Sequence, residues 1–225
     1  MYSRQQLEVG IRNKRKYIKD IGKLWLGKET VSKQAKTLNS IELRKVLDYV
    51  ATRKHAMRNR ALVLIGMYSG MRVGEIASLR YCDVIDAQGN VLNEIRLRAE
   101  NTKSKEARTV FVSDKLQKEL QQYAKFYKPK DVNVKFFYSQ KGDAYNNDGG
   151  FSANTLTQFF HYLYRRVGII GASSHSSRRT FATEISAKGV GIKVLQKLLG
   201  HKNIQTTSVY IFASDDQMRK AVNLV

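Results

Sequence analysis

A small set of residues stands where side-chain type and spacing could act on an anion. Arg72 lies in SGMRVGEIASLR, just past Gly70. A glycine there can end one helix in the left-handed conformation, which puts Arg72 at a corner where the next helix starts. Glu75 is three residues on and can orient the guanidinium. His175 and Arg178, in HSSRRTFATEI, are also three apart, on the first turn of a helix whose Phe181 and Ile185 enter the core. Free N–H groups and the helix dipole favour anions at such a turn, so the pair makes a phosphate grip. Arg179 points about 100° away and is expected on backbone phosphate or in solvent. Lys103 stands in NTKSKEARTVFV, in a turn-like stretch before a strand, with Lys105 as a close competitor. His201 follows Gly200 in LLGHKNIQTTSVYI, and Tyr210 comes nine residues later. The chain has 12 tyrosines, so the pattern and not the residue type singles out Tyr210. Each segment alone also has a plainer reading: a surface arginine paired to a glutamate, a solvated hairpin lysine, a polar helix start.

The elements that must position these residues can be read from caps and periodicity. Asn39 with Glu42 three residues later forms a capping-box pattern before Leu43, Val46, Leu47 and Val50 at helical spacing. A second helix over about 57–68 is apolar on most sides and is expected to be central. Ser69 and Gly70 break it, and a third helix restarts near Val73. CDVIDAQGNVLNEIRLR has a turn signal at Gln88, Gly89 and Asn90 between two runs that can pair, and RTVFV at 108–112 reads as a third strand. Ser113 caps a helix to about Tyr127. Residues 129–150 read as loop with an apolar run at Phe136, Phe137 and Tyr138. Ser152 opens a helix to about Val167. Short helices follow at about 175–188, 191–199 and 203–211, and Ser214 with Gln217 resembles a capping box for a last one. The class is mainly α with a small antiparallel β-sheet, an α+β arrangement.

Composition narrows the partner. The 225 residues are 42% apolar, enough for a real core, yet carry 40 Lys and Arg against 19 Asp and Glu, a net charge of +21. Such an excess repels itself in a compact chain unless a polyanion or salt offsets it, and nucleic acid is the leading partner. An anionic membrane surface is the second candidate, but no long amphipathic basic helix favours it. Residues 1–36 hold ten basic residues against Glu8, Asp20 and Glu29, and the single Trp25 between Leu24 and Leu26. They read as a tail or as an arm on phosphates. One cysteine, Cys82, excludes an internal disulfide and argues against a Cys-ligated zinc. No signal peptide, membrane span, Walker-type loop, dinucleotide turn or acidic triad is apparent. The scattered carboxylates also count against a two-metal nuclease.

Taken in order, GMRVGE, TKSKEAR, HSSRRTFAT, LLGH and TTSVY make residues 37 to about 213 resemble the tyrosine recombinases of the phage integrase family. The resemblance implies that family's catalytic-domain fold. It also implies catalytic roles for Arg72, Lys103, His175, Arg178, His201 and Tyr210, with Tyr210 the nucleophile and Glu75 an orienting neighbour. Arg179, Lys105, Arg108 and Lys202 are expected on DNA. The implied activity is site-specific cutting and rejoining of DNA through a 3′-phosphotyrosyl intermediate, with no metal, ATP or other cofactor. The implied partners are double-stranded DNA with recombination sites, a tetramer on that DNA, and accessory DNA-bending proteins, in the cytoplasm. Most members carry a separate helical core-binding domain where only 36 residues precede the match here. Either those residues or a helper protein would replace it, and residues 214–225 would be exchanged between protomers. The competing functions are a type IB topoisomerase-like enzyme and a non-enzymatic DNA-binding regulator derived from a recombinase.

Overall fold

Local capping chemistry sets most of the element starts. The computed structural model describes residues 34–103, 105–139, 149–211, 218–219 and 222–223. Residues 1–33 of the arm expected over 1–36, and the capping box at Ser214 and Gln217, lie outside the described residues. Helix α1 spans Ser40–Ala51. Asn39 Oδ1 accepts the Glu42 amide at 2.8 Å, and Glu42 Oε2 accepts the Asn39 amide at 3.2 Å. Two of the helix's first free N–H groups are thereby satisfied. Helix α2, Ala56–Ser69, is the central element, with Leu62, Val63, Leu64 and Ile65 all essentially inaccessible. It ends at Gly70, whose φ of 62° is left-handed. A Cβ at Gly70 would lie 2.4 Å from Phe181 Cδ1, so both the turn and the packing require glycine.

Short helices α3, Val73–Ser78, and α4, Tyr81–Val84, come next. Strand β1, Glu94–Leu97, pairs antiparallel with β2, Arg108–Phe111, and a 3-10 turn at Ala99–Asn101 begins the connection. The sheet therefore has two strands where three were expected. Residues 81–84 are helical because the Asp83 carboxylate accepts the Arg80 amide at 2.8 Å and starts a turn. The Tyr81 and Cys82 amides meanwhile donate to the carbonyls of Val134 and Val132. Of the expected hairpin only the turn remains, closed by a single bridge between Ile85 and Val91.

Helix α5, Asp114–Phe126, starts at Ser113, and α6, Ala153–Arg166, starts at Ser152. The apolar run Phe136 and Phe137 is fully buried against Tyr123, whose hydroxyl donates to the Phe136 carbonyl. Helices α7, Ser176–Ala187, α8, Ile192–Leu199, and α9, Gln205–Ser208, complete the described part. Packing divides into two clusters. The large one gathers α1, α2, α5, α6 and the sheet. The small one holds Ala182, Leu195 and Leu199, with Phe181, Ile185 and Tyr210 against it. Tyr210 is thus attached to the α7–α8 side by apolar contact, at the border of the charged groups described next.

Candidate active site

Glu75 is the centre of the site. It is 1% exposed, on the first turn of α3, and two arginines from different elements hold it. Arg72 Nη1 donates to Oε1 at 3.0 Å, and the Arg72 amide donates to Oε2 at 2.8 Å. Arg108 Nη2 donates to Oε2 at 2.7 Å. Burial alone would raise the Glu75 pKa. The hydrogen bond and charge of Arg108, the Arg72 amide and the charge of Arg178 outweigh it and hold the carboxyl below its ordinary value.

The guanidiniums also reach the C-terminal ends of α2 and α8, where free carbonyls and the helix dipole favour cations. Arg178 donates to the carbonyls of Gly70 and Leu199, both at 2.6 Å. Arg108 donates to Leu198 O at 2.8 Å, and Arg72 reaches Gly200 O at 3.4 Å. Helix ends from distant parts of the sequence thus fix three arginines against each other's repulsion. Burial and the neighbouring Arg72 lower the Arg178 pKa to about 9, which leaves it charged at neutral pH.

His201 and Tyr210 close the constellation. His201 Nε2 lies 2.9 Å from Arg178 Nη2, and Nδ1 lies 2.9 Å from Thr207 Oγ1. The ring is near-parallel to Tyr210, with centroids 6.2 Å apart. Partial burial, then Arg178, Arg72 and Arg108, push the His201 pKa down to about 4. His175 precedes α7 at the mouth and is exposed, while Arg178, three residues on, is 4% exposed and turns inward. Partial burial and the charges of Arg178, Arg72 and Lys103 lower the His175 pKa, which puts the lysine within electrostatic reach of the same mouth.

Lys103 is exposed in a loop that Thr102 organises: the Thr102 hydroxyl donates to Ala99 O and Glu106 O and accepts the Glu106 amide. Lys105 occupies the left-handed region with φ 53° and faces solvent. Lys202 pairs with Glu106 at 3.0 Å, with both side chains largely exposed, and Arg179 is half-exposed on the flank. Arg108 departs from expectation. Its guanidinium is taken up by Glu75 and Leu198 and its side chain is 9% exposed, so it braces the site from inside. The sequence held a signal for this. In an antiparallel pair, Arg108 opposite Leu97 lies on the same face as Val110 opposite Ile95, and that face is buried. Gly200 closes α8 in the left-handed conformation, and a Cβ there would meet Arg108 Cδ at 2.5 Å.

Among the described residues, no group of three or more His, Cys, Asp or Glu could hold a metal ion. None of their helices is long and apolar enough to cross a membrane.

The histidines make acid stability a test of this geometry. His201 titrates at about 4 in the folded chain against an ordinary 6.5. Between those values the unfolded chain binds more protons, so the stabilisation is complete above about pH 6.5 and lost as pH falls toward 4. His175 and Glu75 shift the same way. Urea unfolding at pH 7.5 and pH 5 should show lower stability at pH 5, and His201→Gln should reduce the difference. An unchanged difference in that variant would contradict the placement of His201.

Comparison with known proteins gives the family and the fold. Residues 36–217 match the model of the phage integrase family. The chain is 31% identical over 187 residues to tyrosine recombinase XerA of Saccharolobus solfataricus, covering 83% of this chain and 55% of that one. It is 26% identical over 215 residues to transposase A from transposon Tn554 of Staphylococcus aureus, covering 94% and 57%. The chain therefore spans a little over half the length of these relatives. A crystal structure of XerA recombinase superimposes with a TM-score of 0.62 at 26% identity, over 84% of this chain and 64% of that one.

Proposed function

Because the chain belongs to the phage integrase family, we propose that it is a site-specific DNA recombinase that cuts and rejoins strands through Tyr210. The observation that carries this reading is the convergence of Arg72, Arg178, His201 and Tyr210 from separate segments around one buried carboxylate. Three arginines, Arg72, Arg108 and Arg178, surround one carboxylate, Glu75. The surplus suits a phosphodiester passing through a more highly charged transition state.

In this mechanism the Tyr210 hydroxyl gives up its proton with the help of the site histidines, its oxygen attacks the phosphorus, the P–O5′ bond breaks, and a 3′-phosphotyrosyl link forms. Lys103 gives the leaving 5′-oxygen its proton. The new ester keeps the bond energy, so a second 5′-hydroxyl can reverse the step and join strands without ATP. Arg72 and Arg178 neutralise the phosphoryl oxygens, for which planar guanidinium forks are well shaped. His175 at the mouth and His201 inside add hydrogen bonds to the same oxygens. Tyr210 packs beside His201 of its own chain, which favours attack within one protomer. Assembly as a tetramer on paired sites, with accessory DNA-bending proteins, completes the proposal. Lys105, Lys202 and Arg179 border the mouth as contacts for the DNA backbone.

Nicked duplexes from DNA flanking the gene test this reading. In EDTA the protein should form an SDS-resistant adduct, whereas EDTA-sensitive cutting with free ends would contradict it. Arg72→Ala should keep DNA binding and slow adduct formation by about 10²- to 10³-fold, the usual cost of one such electrostatic contact. A rate within tenfold of wild type would remove Arg72 from the chemistry. DNA affinity should fall steeply with salt, by about 0.9 log units per log unit of salt for each phosphate neutralised. A salt-insensitive affinity would count against a basic DNA-binding face.

A further inference from the structure

Thr207 is uncharged and fully buried, and it joins two of the groups assigned above. Its hydroxyl is 2.9 Å from His201 Nδ1, and its carbonyl accepts the Tyr210 amide at 3.0 Å. The proton positions follow from the chemistry of the partners. A guanidinium can only donate, so in the Arg178–His201 contact Nε2 is the acceptor. A neutral imidazole then carries its proton on Nδ1, and Thr207 Oγ1 accepts it.

This arrangement has a consequence for the chemistry. His201 can donate to a phosphoryl oxygen only after Nε2 gains a proton and Arg178 releases it. One route takes a proton from solvent and gives an imidazolium, with Thr207 still accepting from Nδ1. The other returns the Nδ1 proton to solvent as one arrives at Nε2, and the Thr207 hydroxyl turns to donate. A hydroxyl serves both routes, and a methyl group serves neither. The groups facing the ring are Arg178 on α7, Arg72 and Glu75 at α3, Arg108 on β2, and Tyr210 itself. Three of them are cations that oppose protonation, so an acceptor at Nδ1 matters more here than in water.

We propose that Thr207 is a positioning residue: it sets the plane and the proton of the His201 ring and ties that ring to the turn bearing Tyr210, so that both reach a phosphodiester together. The proposal rests on the recombinase reading for its second half, and its first half stands on the ring geometry alone.

The test compares wild type, Thr207→Val and Thr207→Ser. Ring ¹⁵N spectra, with His201 identified by the loss of its signals in His201→Gln, should show the Nδ1–H form near neutral pH in wild type and Thr207→Ser. Thr207→Val should show the proton redistributed toward Nε2. In the adduct assay Thr207→Val should be slower by about tenfold or more, the cost of losing one hydrogen bond of this kind. The limb of its pH profile set by His201 should move to lower pH, because the charge-assisted Nδ1 bond is gone. Thr207→Ser should recover most of the rate. An Nε2–H form in wild type overturns the proposal even if Thr207→Val does not fold. So does a Thr207→Val enzyme with wild-type rate and pH profile, or a Thr207→Ser enzyme as slow as Thr207→Val, which would make the role one of packing. A wild type that forms no adduct on any DNA overturns the recombinase reading and the coupling to Tyr210, while the ring spectra still decide the His201 half.

Discussion

Tyr210→Phe is expected to bind DNA as the wild type does and to form no covalent adduct. Phe keeps the ring that packs against the cluster of Ala182, Leu195 and Leu199 and that lies near-parallel to His201. It removes one oxygen, the atom that would attack phosphorus. The loss should be complete, because the attacking atom itself is gone. Gel shift and SDS gels on the same nicked duplex separate the two effects. Adduct formation by this variant would mean that another residue attacks.

Glu75→Gln is expected to be the most destabilising conservative change in the site. Its carboxylate is 1% exposed and accepts hydrogen bonds from Arg72 and Arg108. Gln keeps the shape but turns one oxygen into a donor facing a guanidinium. The nearby arginines then repel one another with no carboxylate between them. Breaking a buried pair by removing one partner typically costs about 3–5 kcal/mol, a large share of the roughly 5–15 kcal/mol that holds a domain together. The Arg60–Glu119 pair joining α2 to α5 gives the contrast. It is bidentate at 2.7 and 2.6 Å but partly exposed, so Glu119→Gln should cost about 1 kcal/mol or less. Urea unfolding of both variants checks the ranking, and equal losses would contradict the central place given to Glu75.

What could be read from the sequence and what could not divide along a physical line. The capping box at Asn39, the left-handed break at Gly70 and the starts of α5 and α6 depend on residues a few positions apart, and each was legible. Residues 81–84 were misread as strand because their amides pair with Val132 and Val134, some 50 residues away. Arg108 was placed on DNA because its partners, Glu75 and Leu198, lie 33 and 90 positions from it. Its shared face with Val110 was the one local clue. Thr207 sat inside TTSVY without being singled out, since only the fold shows that its hydroxyl meets His201. The site residues carried a recognisable order along the chain, whereas the bracing that holds them is long-range and has little signature in sequence.

The most direct measurement is to identify the residue that carries the DNA. Wild-type protein would be captured on a nicked duplex in EDTA, digested with nuclease and protease, and the modified peptide sequenced by mass spectrometry. The account predicts a nucleotide remnant on the peptide containing Tyr210, on the tyrosine itself. A remnant on any other residue, or cleaved DNA with no protein attached, would contradict it.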